Sequence, residues 1–168
     1  MPNNIDAAIA NYPDFPKPGI LFRDLNPVYK DPKLFKELAR EFILAAKSLG
    51  DFNYIAGIEA RGFILAAALV HELGVGFIPV RKKGKLPGPL RTVTYQLEYG
   101  EDSLQLQENP DLKDTKVLIV DDVLATGGTM RAAIELFRAC GAFPSFGVVM
   151  DIKLIDRQTL GVSNFALY

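Results

Sequence analysis

Apolar residues recur at steps of three and four through Phe35, Leu38, Phe42, Ala46 and Leu49, which predicts a helix with one buried face. Asp31 precedes it as an N-cap, Pro32 suits its first position, and Gly50 follows as a stop. The period then shortens. Residues 54–58 read as a strand, residues 62–73 as a helix ended by Gly74, and residues 76–80 as a second strand. Residues 92–97 alternate like an exposed strand, and residues 104–107 can pair with them as a hairpin. The run 116–120 is continuously apolar, as in a strand buried on both faces. A helix over 129–140 ended by Gly141, a buried strand over 145–150 and a short strand over 164–168 complete the pattern.

Strand, helix and strand joined by short connections imply right-handed crossovers and a mostly parallel sheet. The expected fold class is α/β: a twisted sheet flanked by helices in one domain spanning residues 1–168, with no repeat or linker. The N-terminal third and the segment 84–107 break the alternation, and both are expected to cover one end of the sheet.

Composition narrows the chemistry. The chain has 168 residues, 49% hydrophobic and 23% charged, with a formal net charge of −1, so no overall basic field draws it to nucleic acid. Anion binding must come from local geometry. A single cysteine, Cys140, excludes an internal disulfide, and no Cys/His cluster suggests zinc. The N-terminus MPNNIDAAIANYPDF lacks the pattern of a signal peptide, and the apolar stretch 63–70 is too short to span a bilayer. A cytoplasmic protein with no membrane partner is expected.

The stretch VLIVDDVLATGGTM, residues 117–130, carries the most chemistry. An apolar strand ends in Asp121 and Asp122, and a Gly/Thr-rich loop then opens a helix. Ligands on open parallel sheets collect at the carboxyl ends of the strands. Gly127 and Gly128 let backbone N–H groups approach a ligand, Thr126 and Thr129 add hydroxyls, and the helix N-terminus adds partial positive charge. Charge-assisted hydrogen bonds of roughly 1.5–3 kcal/mol each allow such a loop, Ala125 to Thr129, to hold a phosphate monoester without lysine. The two acids are acceptors placed for sugar hydroxyls or a hydrated Mg²⁺. A Gly-Gly turn alone is often only a tight connection; the whole fourteen-residue pattern is more specific. A P-loop would need G-x-x-x-x-G-K-S/T, which is absent. A receiver domain would need more chain than follows residue 122.

This stretch resembles, at every position, the phosphoribosyl-diphosphate (PRPP) signature of the type I phosphoribosyltransferases. Four further segments, within residues 12–141, are similar to the adenine-specific branch of that family. YPDFPKPGILFRD, residues 12–24, resembles its base pocket, implying that Phe22 lies against a purine while backbone groups of Leu21 and Arg23 read its edge. GIEARGF, residues 57–63, resembles its pyrophosphate loop, with Glu59, Ala60 and Arg61 and a cis peptide expected at Glu59–Ala60; some relatives have Ser where Ala60 stands here. VRKKGKLPG, residues 80–88, implies that Arg81, Lys82 and Lys85 meet pyrophosphate. YQLEYG, residues 95–100, places Glu98 where the family has its catalytic glutamate, with Tyr99 beside it.

The resemblance implies a hood over about residues 1–30, a flexible β-hairpin loop over about 84–107 above the active site, and a homodimer. It also implies Mg²⁺, held mainly through PRPP, and transfer of a phosphoribosyl group to adenine to give AMP and pyrophosphate in purine salvage. Two other readings are weighed against it. A 6-oxopurine could be the base, read by Lys153 after the strand ending near Met150; or the fold could serve as a non-catalytic PRPP sensor. The segments PGILFRD and LPGP favour adenine, and Glu98 favours catalysis. The chain after Gly141 resembles the family only loosely.

Overall fold

The computed structural model describes residues 4–97 and 100–168. A short helix α1 (Asn4–Ala8) leads into a two-stranded antiparallel ribbon, β1 (Ala10–Pro13) and β2 (Leu21–Asp24), followed by α2 (Asn26–Lys30) and α3 (Pro32–Lys47). Asp31 caps α3 as expected, its carboxylate accepting from the Lys33 and Leu34 backbone N–H groups at 2.8 and 3.2 Å, with Pro32 in the first turn. The expected elements then follow: β3 (Tyr54–Ile58), α4 (Arg61–Leu73), β4 (Gly76–Lys82), β5 (Leu90–Leu97), β6 (Gly100–Gln107), β7 (Lys116–Leu124), α5 (Gly128–Ala139), β8 (Phe143–Asp151) and β9 (Asn164–Ala166).

The main sheet has the order β5-β6-β4-β3-β7-β8-β9. Its five strands from β4 to β9 are parallel, while β6 pairs antiparallel with both β4 and β5. The central strands are buried on both faces because their side chains alternate between two cores. Along β7, Val117 and Ile119 join Phe137 and Phe146 on the α5 side. Leu118 and Val120 join Phe42 and Leu65 beneath α3 and α4. Each large side chain buried in these layers contributes about 1.5–3 kcal/mol. No helix among the described residues is long and apolar enough to cross a membrane.

Three expectations change. First, β7 does not stop at Val120. It runs to Leu124 because the nine-residue β8 supplies ladder partners that far, with Asp121 opposite Val148 and Leu124 opposite Asp151. The two acids therefore lie within the strand, two residues short of its end, rather than closing it. Second, the 84–107 segment is more than a cover. Arg81 pairs with Gln105 and Lys82 with Leu104, and Leu104 and Leu106 are buried, so the hairpin extends the sheet past β4. Third, the N-terminal third is not set apart from the layers. Ile5, Ile9, Leu25 and Val28 share one cluster with Phe42 of α3.

One very close backbone contact in this frame lies next to the acids. A Cβ on Gly62, in the first turn of α4, would stand 2.5 Å from the Val120 carbonyl oxygen and 3.4 Å from Asp121 Oδ1. Only glycine lets the start of α4 rest on β7 so closely, and that brings Arg61 beside the acid pair.

Candidate active site

After β7 the chain turns through Ala125, Thr126 and Gly127 into α5. Gly127 caps the helix in the left-handed region at φ +80, without a side-chain cap. A Cβ there would be strained and would collide with Ile155 Cδ1. The first N–H groups of α5 have no intrahelical carbonyl to reach, and the helix dipole adds positive character at that end. No lysine stands in the turn, so an anion placed there would rest on backbone N–H groups and hydroxyls.

Asp122 is only 4% exposed, and its two oxygens differ. Oδ2 lies 2.9 Å from Arg61 Nε, while Oδ1 is buried without a hydrogen-bond partner among the described residues. Asp121 Oδ1 accepts from the Asp122 backbone N–H at 2.9 Å. Burial pushes both carboxyls above their ordinary range; the neighbouring Asp122 charge adds to the rise at Asp121, and the Arg61 guanidinium opposes it at Asp122. The hydroxyl of Tyr29, on α2, is another buried polar atom without a hydrogen-bond partner among the described residues. Burial, then the charge of Asp122, pushes its ionisation well above the ordinary tyrosine value. An unpartnered buried oxygen costs roughly 1–3 kcal/mol, so this corner is built to be satisfied by something else.

The loop before α4 contains the expected cis Glu59–Ala60 peptide. Ala60 offers no side-chain cap, and Arg61 remains half-exposed. The Glu59 carboxylate faces inward along β4: it accepts from Arg81 Nε and Nη2 at 3.2 and 3.3 Å and from the Lys82 N–H at 2.8 Å. The Arg81 hydrogen bond, foremost, holds Glu59 below the usual carboxylate range. Arg81 also reaches the Lys85 carbonyl at 3.4 Å, and Lys82 Nζ engages Asp102 and the Tyr95 hydroxyl. Arg61, Arg81 and Lys82 thus each face a carboxylate, whereas the Lys85 side chain stands in an exposed turn. These three cations are therefore not bare: each is already paired within the protein.

The ribbon comes to the same place. The Arg61 Cζ lies 5.8 Å from the centre of the Phe22 ring, which packs edge-on against Phe15 at 5.3 Å. Leu21 is exposed, and Arg23 Nη2 pairs with Asp6 Oδ1 at 2.6 Å. Glu98 and Tyr99 lie outside the described residues. Lys153 is engaged: its Nζ is 3.2 Å from Oδ2 of the buried Asp151, which Arg157 also reaches at 3.1 Å. A groove of about 720 Å³ between α3 and α4, lined by Phe35, Leu44 and His71 among others, is separate from all of these residues.

Sequence reasoning missed Tyr29, Tyr95, Asp102 and Asp151. Tyr95 is the single buried position of β5. Tyr29, Tyr95 and Asp102 matter through neighbours that other segments bring, and Asp151 through Lys153 and Arg157 just after it.

Comparison with known proteins shows which family the chain resembles in sequence and fold. The phosphoribosyl transferase domain family matches residues 29–151. The adenine phosphoribosyltransferase of Synechococcus sp. (strain JA-3-3Ab) is 49% identical over 158 residues, covering 94% of this chain and 90% of that protein. That of Mastomys natalensis is 50% identical over 154 residues, covering 90% and 83%. Among solved structures, adenine phosphoribosyltransferase from Saccharomyces cerevisiae, complexed with an imino-altritol bisphosphate and adenine, superposes with a TM-score of 0.93. It is 38% identical over 98% of this chain and 96% of its own.

Proposed function

The chain belongs to the adenine phosphoribosyltransferases of the phosphoribosyl transferase domain family, and from that premise we propose how its residues carry out the transfer of a phosphoribosyl group from PRPP to adenine in purine salvage. The 5′-phosphate rests on the turn Ala125, Thr126, Gly127, Gly128 and Thr129. The ribose hydroxyls meet Asp121 and Asp122. The observation that carries this reading is the pairing of a lysine-free anion cradle with an acid whose inner oxygen is buried and unpartnered.

The diphosphate lies along Glu59–Ala60–Arg61, with Arg61 and Arg81 exchanging their carboxylate partners for phosphate oxygens, and Lys82 and Lys85 adding charge. Glu59 contributes backbone groups there, because its carboxylate serves to orient Arg81. Adenine stacks on Phe22 while backbone groups of Leu21 and Arg23 read its edge. Held in line with the anomeric carbon, the base attacks as pyrophosphate departs, and Asp121 and Asp122 stabilise the positive charge that grows on the sugar. Glu98 manages a proton on the base, with Tyr99 beside it. Residues of about 1–30 act as a hood, and about 84–107 as a flexible loop that excludes water when closed.

No cluster of three or more metal-ligating side chains occurs among the described residues. The unpartnered Asp122 Oδ1, with Asp121, nonetheless fits a hydrated Mg²⁺ carried by the diphosphate. Bound there, Mg²⁺ supplies shielding of the pyrophosphate charge. We also propose a cytoplasmic homodimer, with small molecules as its other partners.

Pyrophosphate release from PRPP, assayed with adenine, guanine, hypoxanthine and xanthine in parallel and with or without Mg²⁺, tests the reading. Adenine with Mg²⁺ is expected to be the productive combination, in keeping with Lys153 being tied to Asp151. Preference for a 6-oxopurine, or PRPP binding with no pyrophosphate released, would contradict it.

A further inference from the structure

The phenol oxygen of Tyr95 in β5 sits among three polar groups. Lys82 Nζ donates to it at 2.9 Å, it donates to Asp102 Oδ2 at 3.2 Å, and Thr129 Oγ1 donates to it at 3.2 Å. A phenol has one proton to give and two lone pairs to receive, so this arrangement saturates it. Lys82 can only donate. Asp102 can only accept while ionised, and it is: burial raises its carboxyl, but hydrogen bonds from Lys82 and the Ser103 N–H outweigh that and hold it below the usual range. The phenolic proton therefore belongs to Asp102, and the contact with Thr129 must use the proton of the threonine.

Thr129 stands in the first turn of α5, on the cradle. Its hydroxyl has a single proton, and Tyr95 already holds it. The packing keeps that contact close, since a Cβ on Gly128 would stand 3.3 Å from Tyr95 Cδ2. We propose that Tyr95 is a positioning residue that withholds the Thr129 proton from the cradle, so that a bound phosphate monoester and the β5–β6 hairpin compete for one hydrogen bond. This inference rests on the reading of residues 125–129 as the phosphate site. Filling the cradle draws the proton to the phosphate and removes one of the bonds that hold β5 against α5. Occupancy of the sugar-phosphate site is thereby felt by the hairpin.

The consequence has an unusual sign. Tyr95→Phe keeps the ring that fills the space beside Gly128 and leaves Lys82 with Asp102, but frees the Thr129 proton. The wild type gives up the neutral Thr129–Tyr95 hydrogen bond when it binds and the variant has none to give up, a difference of about one neutral hydrogen bond, or about fivefold in affinity. Binding of ribose 5-phosphate should be measured by calorimetry on the wild type, Tyr95→Phe, Thr129→Val and the double variant. Tyr95→Phe is expected to bind about fivefold tighter than wild type, and the KM for PRPP to fall in step while kcat does not rise. The gain should vanish when Thr129 is already valine. Unchanged or weaker binding by Tyr95→Phe overturns the proposal, as does a gain that survives in the Thr129→Val background. Failure of the wild type itself to bind ribose 5-phosphate would instead remove the cradle reading, and the proposal with it.

Discussion

Replacing Asp122 with asparagine is expected to lower turnover by roughly two to three orders of magnitude, the usual cost of deleting one pre-organised charge at a transition state. The size of the loss follows from the burial of Asp122. At 4% exposure its charge acts on the sugar with little screening by water. The fold should survive, because the amide matches the carboxylate in shape and Arg61, its partner, is half-exposed and can turn to solvent. A buried carboxylate is also costly to desolvate, so its neutralisation does not lower stability by much. Steady-state kinetics beside a thermal melt separate the two effects. Wild-type turnover in Asp122→Asn would remove the carboxylate from the mechanism.

Arg61→Gln is expected to do damage of a different kind. It removes the donor fork proposed for pyrophosphate, and it removes the charge that opposes the rise in the Asp122 carboxyl. The first loss should lower kcat/KM for PRPP by about a hundredfold, as expected when a charge-assisted bidentate contact is lost. The second has a definite direction. Without Arg61, the effect of burial on Asp122 meets less opposition and its carboxyl rises further. If catalysis needs the ionised form, the acid limb of the pH–rate profile must move to higher pH. A fall in kcat/KM with the acid limb unmoved would mean that Arg61 holds the diphosphate but does not tune the acid.

Much of this was legible in the chain because the relevant signals are local. The β3 and β8 runs are apolar on both faces, and Asp31-Pro32 announces α3 with its cap. The turn at Gly127 needs a residue that accepts φ +80, and glycine is there. The extent of β7 was not legible, since Asp121 and Asp122 interrupt the apolar run that marks a buried strand. What sustains them is β8 on one side and Arg61, some sixty residues earlier, on the other. The placement of the hairpin was hidden for the same reason. Nothing near residue 104 announces that β6 will pair with β4 rather than stand free. The charge pairs Glu59–Arg81 and Lys82–Asp102, and the link from Tyr95 to Thr129, likewise exist only once the sheet has brought β4, β5, β6 and α5 together. Segments that resemble a known site name its residues, but which carboxylate each cation faces is a property of the folded chain.

A crystal structure of the protein with AMP bound tests the account most directly. The nucleotide phosphate should lie at the start of α5, with backbone N–H groups from Thr126 to Thr129 at about 2.7–3.2 Å from its oxygens and the ribose hydroxyls on Asp121 and Asp122. A nucleotide seated elsewhere, or a turn whose amides point away from the phosphate, would contradict it.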